Sequence, residues 1–158
     1  MTKKAKDNVS EAQTLANELL GLMGTSAKAK ASEDKENQAV VIDIDTEEEK
    51  GLLIGRRGET LNSFQSVLGM LLKRKLDEWV RVVVNIGDWR EKQDQYLKDL
   101  AYQTAEKVLE TKKPEPLYNL TAAERRIVHM ELANHPDVTT QSEGEDSERY
   151  LVVKPKGA

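Results

Sequence analysis

The sequence contains no cysteine, and that one absence excludes disulfides, thiolate zinc sites and cysteine nucleophiles together. Aromatic residues make up only 4% of the chain, with a single phenylalanine, so any core must be aliphatic. No stretch approaches the roughly 18 consecutive apolar residues that a membrane-spanning helix needs. The lysines of MTKKAKDNVSEAQ are followed by no apolar segment, so the N-terminus does not read as a secretory signal. Histidine is nearly absent too. His129 and His135 lie six apart and do not share a helix face as ligands for one metal. The acidic runs lack the spacing of an EF-hand, and no nucleophile stands in register with a base. The expectation is a cytoplasmic protein that is not an enzyme and needs neither metal nor cofactor.

What is present is charge. Of 158 residues, 33% are charged, with a formal balance of −4. An acidic balance argues against a generic nucleic-acid coat, but binding depends on where the charge lies. Between Leu52 and Arg81 stand six basic residues, Arg56, Arg57, Lys73, Arg74, Lys75 and Arg81, against three acids, Glu59, Asp77 and Glu78. The acids gather elsewhere, at Glu47–Glu49 and in EGEDSE at 143–148. A locally basic segment therefore sits inside an acidic chain.

Residues 1–8 are polar and read as a flexible N-terminus. Ser10 and Gln13 fit a capping box, and Leu15, Leu19 and Leu22 recur at helical spacing, which predicts a helix over 10–23 stopped near Gly24. AKAKASED carries a weak signal for an edge strand. QAVVIDID at 38–45 alternates, with Val40, Ile42 and Ile44 on one side, and predicts a strand with one buried face. Thr46 with Glu49 predicts a second capping box and a short helix to Ile54. Leu61, Phe64, Leu68, Leu71 and Leu72 predict a longer helix to about Leu76, in which Gly69 marks either a close packing contact or a tolerated cost. WVRVVVNI at 79–86 reads as a strand. A second unit follows: a helix over 91–111, a turn at KKPEP, a short strand in PLYNL, and a helix from the Thr121/Glu124 capping box to about Asn134. Two strands, DVTTQS and ERYLVV, close it around the acidic turn.

GLLIGRRGETL at 51–61 interrupts this regularity. Gly55 and Gly58 each weaken a helix by roughly 1 kcal/mol relative to alanine, so something must justify the break. The segment lacks the lysine and hydroxyl of a P-loop and the spacing and preceding strand of a dinucleotide fingerprint. It is also too short and charged for a membrane GxxxG face. A G-x-x-G turn between two helices suits a different task. Its glycines let backbone approach a ligand closely, the following helix presents unpaired N–H groups, and Arg56 and Arg57 supply charge-assisted donors for phosphate. Glu59 favours the helix start while opposing phosphate. The bland alternative is a solvated surface turn.

TAAERRIVHMEL carries a second spacing. Arg125 and His129 are four apart, on one helix face, with Arg126 beside them. Ala123, Ile127 and Met130 lie opposite, on the face available for burial.

GLLIGRRGETL, in the order helix, strand, strand, helix, loop, helix, strand, resembles a type II KH domain. ERRIVHMELANHPDVTTQSEGEDSERYLVV resembles the R-three-H domain, named for its arginine and histidine. Both motifs in this order, over residues 10–156, resemble the Jag (SpoIIIJ-associated) family of bacterial RNA-binding proteins. The resemblance implies an α+β chain of two small domains in tandem. Residues 9–88 would be the KH domain, a three-stranded sheet packed on helices, and 89–158 the R-three-H domain, helices on a short sheet. It further implies single-stranded RNA held by its backbone at Gly55, Arg56, Arg57 and Gly58, as KH domains hold about four nucleotides. A second contact falls at Arg125, Arg126 and His129, and the role is post-transcriptional regulation or RNA chaperoning tied to growth or envelope functions.

Family members often carry a further N-terminal domain and basic linker, which these 158 residues do not contain. Roles resting on that domain are not implied. EPLYNLTAAE also departs from the proline- and methionine-containing segment usual before ERRIVH, which touches local loop geometry only. The residues themselves leave single-stranded DNA open beside RNA. Lys73, Arg74, Lys75 and Arg81 extend a phosphate track or are a solvated helix end and strand start. Leu53, Ile54 and the exposed face of 40–45 contact bases or fill the core. His129 titrates near neutral pH and modulates binding, or is structural. A different class of function, an adaptor pairing with another KH-domain protein, predicts association that survives high salt and loop substitutions.

Overall fold

The computed structural model describes residues 3–157. It separates into two compact units, with the division after Arg90. The first runs α1 (Lys3–Leu22), β1 (Lys28–Asp34), β2 (Ala39–Asp45), α2 (Lys50–Ile54), a single 3-10 turn (Arg56–Gly58), α3 (Glu59–Leu76) and β3 (Arg81–Ile86). The second holds β4 (Glu115–Leu117), α5 (Ala122–Leu132), β5 (Val138–Glu143) and β6 (Tyr150–Pro155), all preceded by α4 (Trp89–Thr111), whose first two residues belong to the first unit. The architecture is α+β throughout. No helix among the described residues is long and apolar enough to cross a membrane.

In the first unit the strands lie in the order β1-β2-β3, antiparallel then parallel. Register places Val40 opposite Val82, Ile42 opposite Val84 and Ile44 opposite Ile86. The alternation read from 38–45 is thus the alternation of one sheet face, and that face packs on Ala12, Ala16 and Leu20 of α1 and on Leu61, Phe64, Leu68 and Leu72 of α3. The aliphatic core expected from so few aromatics is what forms.

Four local features differ from the expectation. Helix α1 extends back to Lys3, so residues 3–8 are helical and Ser10 is interior; residues 1–2 lie outside the described residues. The extension is held because Val9 packs on the core, Lys4 pairs with Glu78 at 2.6 Å, and Asn8 Nδ2 donates to the same carboxylate. Gln13, assigned to a cap, instead accepts from the Ala31 amide. The Thr46/Glu49 box forms by half: the Glu49 amide donates to Thr46 Oγ1, but the Glu49 carboxylate accepts from the amides of Ser26 and Ala27. The strand expected from Trp79 begins at Arg81, leaving Trp79 in the loop and 70% exposed.

In the second unit the order is β4-β6-β5, with both pairs antiparallel. Leu97, Ala101, Ala105 and Val108 of α4 and Val128 and Leu132 of α5 cover Val138, Leu151 and Val153 on one face. The short strand sits at Glu115–Leu117, so it takes in only the first two residues of PLYNL: Leu117 turns into the core and the chain leaves the sheet after it. Burial on α5 also differs from expectation. Glu124, Val128 and Leu132 face inward, while Ala123 and Met130 are exposed and Ile127 is half-buried. Glu124 is tolerated there because it completes the capping box: its carboxylate accepts from the Thr121 amide at 2.7 Å and from Gln93 at 3.0 Å, while Thr121 Oγ1 accepts from the Glu124 amide. Thr121→Ala should therefore cost about 1 kcal/mol, lowering the second unit's melting temperature by several degrees. Thermal denaturation with Thr121→Ser as the conservative control checks it.

Candidate nucleic-acid interface

The break at 55–58 has an internal cause. The Gly55 amide closes α2 onto the Gly51 carbonyl at 2.9 Å, and the chain then turns with φ 72° and ψ −175°, a region that glycine alone adopts readily. A Cβ on Gly55 would stand 2.2 Å from Thr60 Oγ1. Gly58, at φ 81°, starts α3, and a Cβ there would stand 2.2 Å from the Trp89 ring. Both glycines are demanded by the protein's own packing, and Gly58 is buried. The Cβ-free side assigned to a ligand is, at Gly58, filled by an indole. What faces outward is the pair between them: Arg56 and Arg57 are exposed, with Arg57 in the left-handed region at φ 53°.

Beside α3 lies an open groove of about 370 Å³, between that helix and the edge strand β3. Gly69 and Val82 lie along it, with Gln65 and Met70 on the helix side and Trp79 and Arg81 on the other. A Cβ on Gly69 would meet nothing within 4 Å, so this glycine serves no packing contact and leaves the groove wide. Part of the strand's free edge is closed. Gln65 Oε1 accepts from the Val84 amide at 3.0 Å, and Arg90 Nε donates to the Val84 carbonyl at 3.0 Å. Arg90 Nη2 also donates to Gln65 Oε1. Strand alternation puts the Val82 N–H and C=O on this same edge, facing the groove. Leu53, by contrast, is buried, and Ile54 and Val40, Ile42 and Ile44 pack in the core. Of the two readings the sequence left open for Leu53 and Ile54, the structure places both side chains against the core, and the apolar side chains exposed along the groove are Met70 and Trp79, which carry no periodic signal of their own.

Lys73, Arg74 and Lys75 close the far end of α3, roughly 21 Å from its first residue at 1.5 Å per residue. Lys73 Nζ lies 4.6 Å from the Trp79 ring centroid, and Lys75 pairs with Glu11 at 3.8 Å. Arg74 and Arg81 are exposed. The cluster is thus not gathered with the loop; Arg81 lines the groove, and Lys73 lies over the Trp79 ring that also lines it.

In the second unit Arg125 and His129 do share the expected side of α5, but differ in posture. Arg125 is half-buried, and its Nη1 donates to the carbonyls of Leu120 at 2.7 Å and Arg149 at 3.1 Å. His129 is exposed, with Nδ1 2.5 Å from Thr140 Oγ1 on β5, and Arg126 is exposed. His135 accepts from the Asp137 amide through Nδ1 and holds the turn after α5. Among the described residues no group of three or more acidic or histidine side chains could hold a metal.

Two family models match the chain: one described as a KhpA/KhpB KH domain over residues 12–86, the other as an R-three-H domain over residues 95–155. The chain is 38% identical over 117 residues to the RNA-binding protein KhpB of Lactiplantibacillus plantarum, covering 74% of this chain and 36% of that protein. It is 38% identical over 114 residues to the protein of the same name from Bacillus subtilis, covering 70% and 54%. The Clostridium symbiosum protein is 34% identical over 109 residues, covering 69% and 49%. The chain spans between about a third and a half of the length of these curated relatives.

Proposed function

The chain belongs to the KhpB (Jag) family, which joins a KH domain to an R-three-H domain, and from that premise we propose that it binds single-stranded nucleic acid, RNA in particular. The observation that carries this reading is the Gly55–Gly58 turn, which lifts Arg56 and Arg57 to the head of α3, the helix whose later turns line the α3–β3 groove. The arginines and the first amides of α3 hold phosphate. Bases then enter the groove, where Met70 and Trp79 offer apolar contact and the Val82 N–H and C=O offer a donor and acceptor for a base edge. The relatives are RNA-binding proteins by name, and an open groove with an unpaired strand edge suits bases that are not already paired. In the second unit, Arg126 and His129 make a separate contact, with Arg125 bracing the segments beside them. The cellular consequence proposed is post-transcriptional control.

The first test is fluorescence anisotropy with a pool of short single-stranded RNAs across a salt series. About three phosphate contacts predict a log–log slope near −2, since single strands contribute roughly 0.7 per contact. Absence of binding at low salt, or an affinity indifferent to salt, overturns the reading.

A further inference from the structure

One guanidinium in the second unit ties two segments together. The Arg125 Nη1 group grips the carbonyl of Leu120, on the chain leaving β4, and that of Arg149, on the chain entering β6. Each segment carries a tyrosine close by. Leu117 pairs with Leu151, so the next residue on one strand faces the preceding residue on the other: Tyr118 stands across from Tyr150. Their ring centroids are 4.9 Å apart at an interplanar angle of 42°. Leu117, Leu151 and Val153 turn toward the core. By alternation Tyr118, Tyr150, Val152 and Lys154 occupy the opposite face of the sheet from α4 and α5.

That face is built rather than incidental. Tyr150 is half-buried and Tyr118 is 60% exposed, so one ring backs the other and leaves it open. The Tyr150 hydroxyl donates to Glu143 at 3.4 Å, and Lys154 pairs with the same carboxylate at 2.6 Å, which offsets its charge. Burial, followed by the neighbouring Glu143 charge, raises the Tyr150 hydroxyl above its ordinary range, so it keeps its proton. Arg149, next to Tyr150, is exposed, and its side chain has no hydrogen bond or ion pair among the described residues.

We propose that Tyr118 and Tyr150 form a stacking site for one unpaired nucleobase, with Arg125 as the residue that positions both rings. The proposal deepens the RNA-binding reading and rests on it. A nucleobase is the occupant the chemistry favours. It presents a flat face of ring size, and stacking accepts any base. Glu145, Asp146 and Glu148 in the turn before Tyr150 repel further phosphates, which limits the site to a single nucleotide. Binding here is carried by stacking more than by charge. Arg125 then acts through the rings, not by touching phosphate.

The test uses the full chain with a short single-stranded oligoadenylate, followed by anisotropy, and adenosine monophosphate followed by NMR. Tyr118→Ala should weaken oligoadenylate binding roughly five- to a hundredfold with the salt slope unchanged, while Tyr118→Phe binds as the native chain does. Arg125→Ala should weaken binding comparably, and the Tyr118→Ala/Arg125→Ala double variant should be no worse than the weaker single. Additive losses with a shallower salt slope in Arg125→Ala would place that residue on phosphate and overturn its positioning role. Adenosine monophosphate should shift the Tyr118 ring protons upfield, whereas inorganic phosphate should not; this readout is independent of any folding defect in a variant. If Tyr118→Ala binds like the native chain while Arg56→Asp/Arg57→Asp fails, the stacking site is lost and the loop reading stands. If the native chain binds neither oligoadenylate nor the mixed RNA pool, both are lost.

Discussion

Replacing Arg56 and Arg57 together by aspartate is expected to weaken binding of single-stranded RNA at least a hundredfold at low salt, with the fold intact. A hydrogen bond to a charged group contributes about 1.5–3 kcal/mol, so two lost donors remove roughly 3–6 kcal/mol before screening, and reversed charge adds repulsion. Exposure discounts the figure, since salt screens surface charges beyond about 10 Å at 0.1 M. The fold should survive for a reason specific to this loop. Arg57 occupies the left-handed region at φ 53°, where aspartate and asparagine are several-fold enriched among non-glycine residues. Arg56 lies exposed in the same turn, and its side chain has no hydrogen bond or ion pair among the described residues. Circular dichroism and a melting curve check the fold; anisotropy at two salt concentrations checks the binding. Native-like RNA affinity in the folded double variant removes the loop from the interface. It would move the chain toward a pairing role with another KH-domain protein, for which salt-resistant association is the signature.

Much of this loop could be read from sequence because its requirements are local. Glycine pairs, a hydrophobic period of 3.6 before and after, and the Thr121–Glu124 spacing each concern residues within a few positions of one another. Val40, Ile42 and Ile44 are legible for the same reason, since alternation reports a buried face directly. What escaped the sequence joins residues far apart in the chain. Trp89 lies 31 positions after Gly58, Gln65 closes the Val84 edge with Arg90, and Glu78 anchors α1 from the other end of the unit. None of these side chains sits at an apolar periodic position that would announce its partner. Arg125 shows the limit most clearly. Its spacing to His129 is visible, but its commitment to two backbone carbonyls depends on a loop that returns 24 residues later. Tyr118 and Tyr150 are likewise brought together only by the β4–β6 register.

The glycine at position 58 gives the second large effect, and it separates folding from binding at the same loop. Gly58→Ala should destabilise the first unit by about 2–5 kcal/mol. The left-handed backbone at φ 81° costs an L-residue roughly 1–2 kcal/mol, and forcing a methyl into filled space typically costs 1–3 kcal/mol more. The second contribution is real here because the nearest atom is the Trp89 ring at 2.2 Å, and a ring rooted in the first turn of α4 has little freedom to yield. Against a typical domain stability of about 5–15 kcal/mol, the loss should bring the urea midpoint down sharply. Two companion variants apportion it. Adding Trp89→Ala to Gly58→Ala should recover none of the backbone cost but remove the clash, so the double variant should lose less than the sum of the singles. Gly69→Ala, in helical backbone with nothing within 4 Å of its Cβ, should instead gain up to about 1 kcal/mol while narrowing the α3–β3 groove. A stabilised Gly69→Ala that binds RNA more weakly would show that the groove, and not stability, sets affinity. A Gly58→Ala midpoint equal to the native one would mean that Trp89 does not hold the loop, and the account of why the chain breaks its helix there would fail.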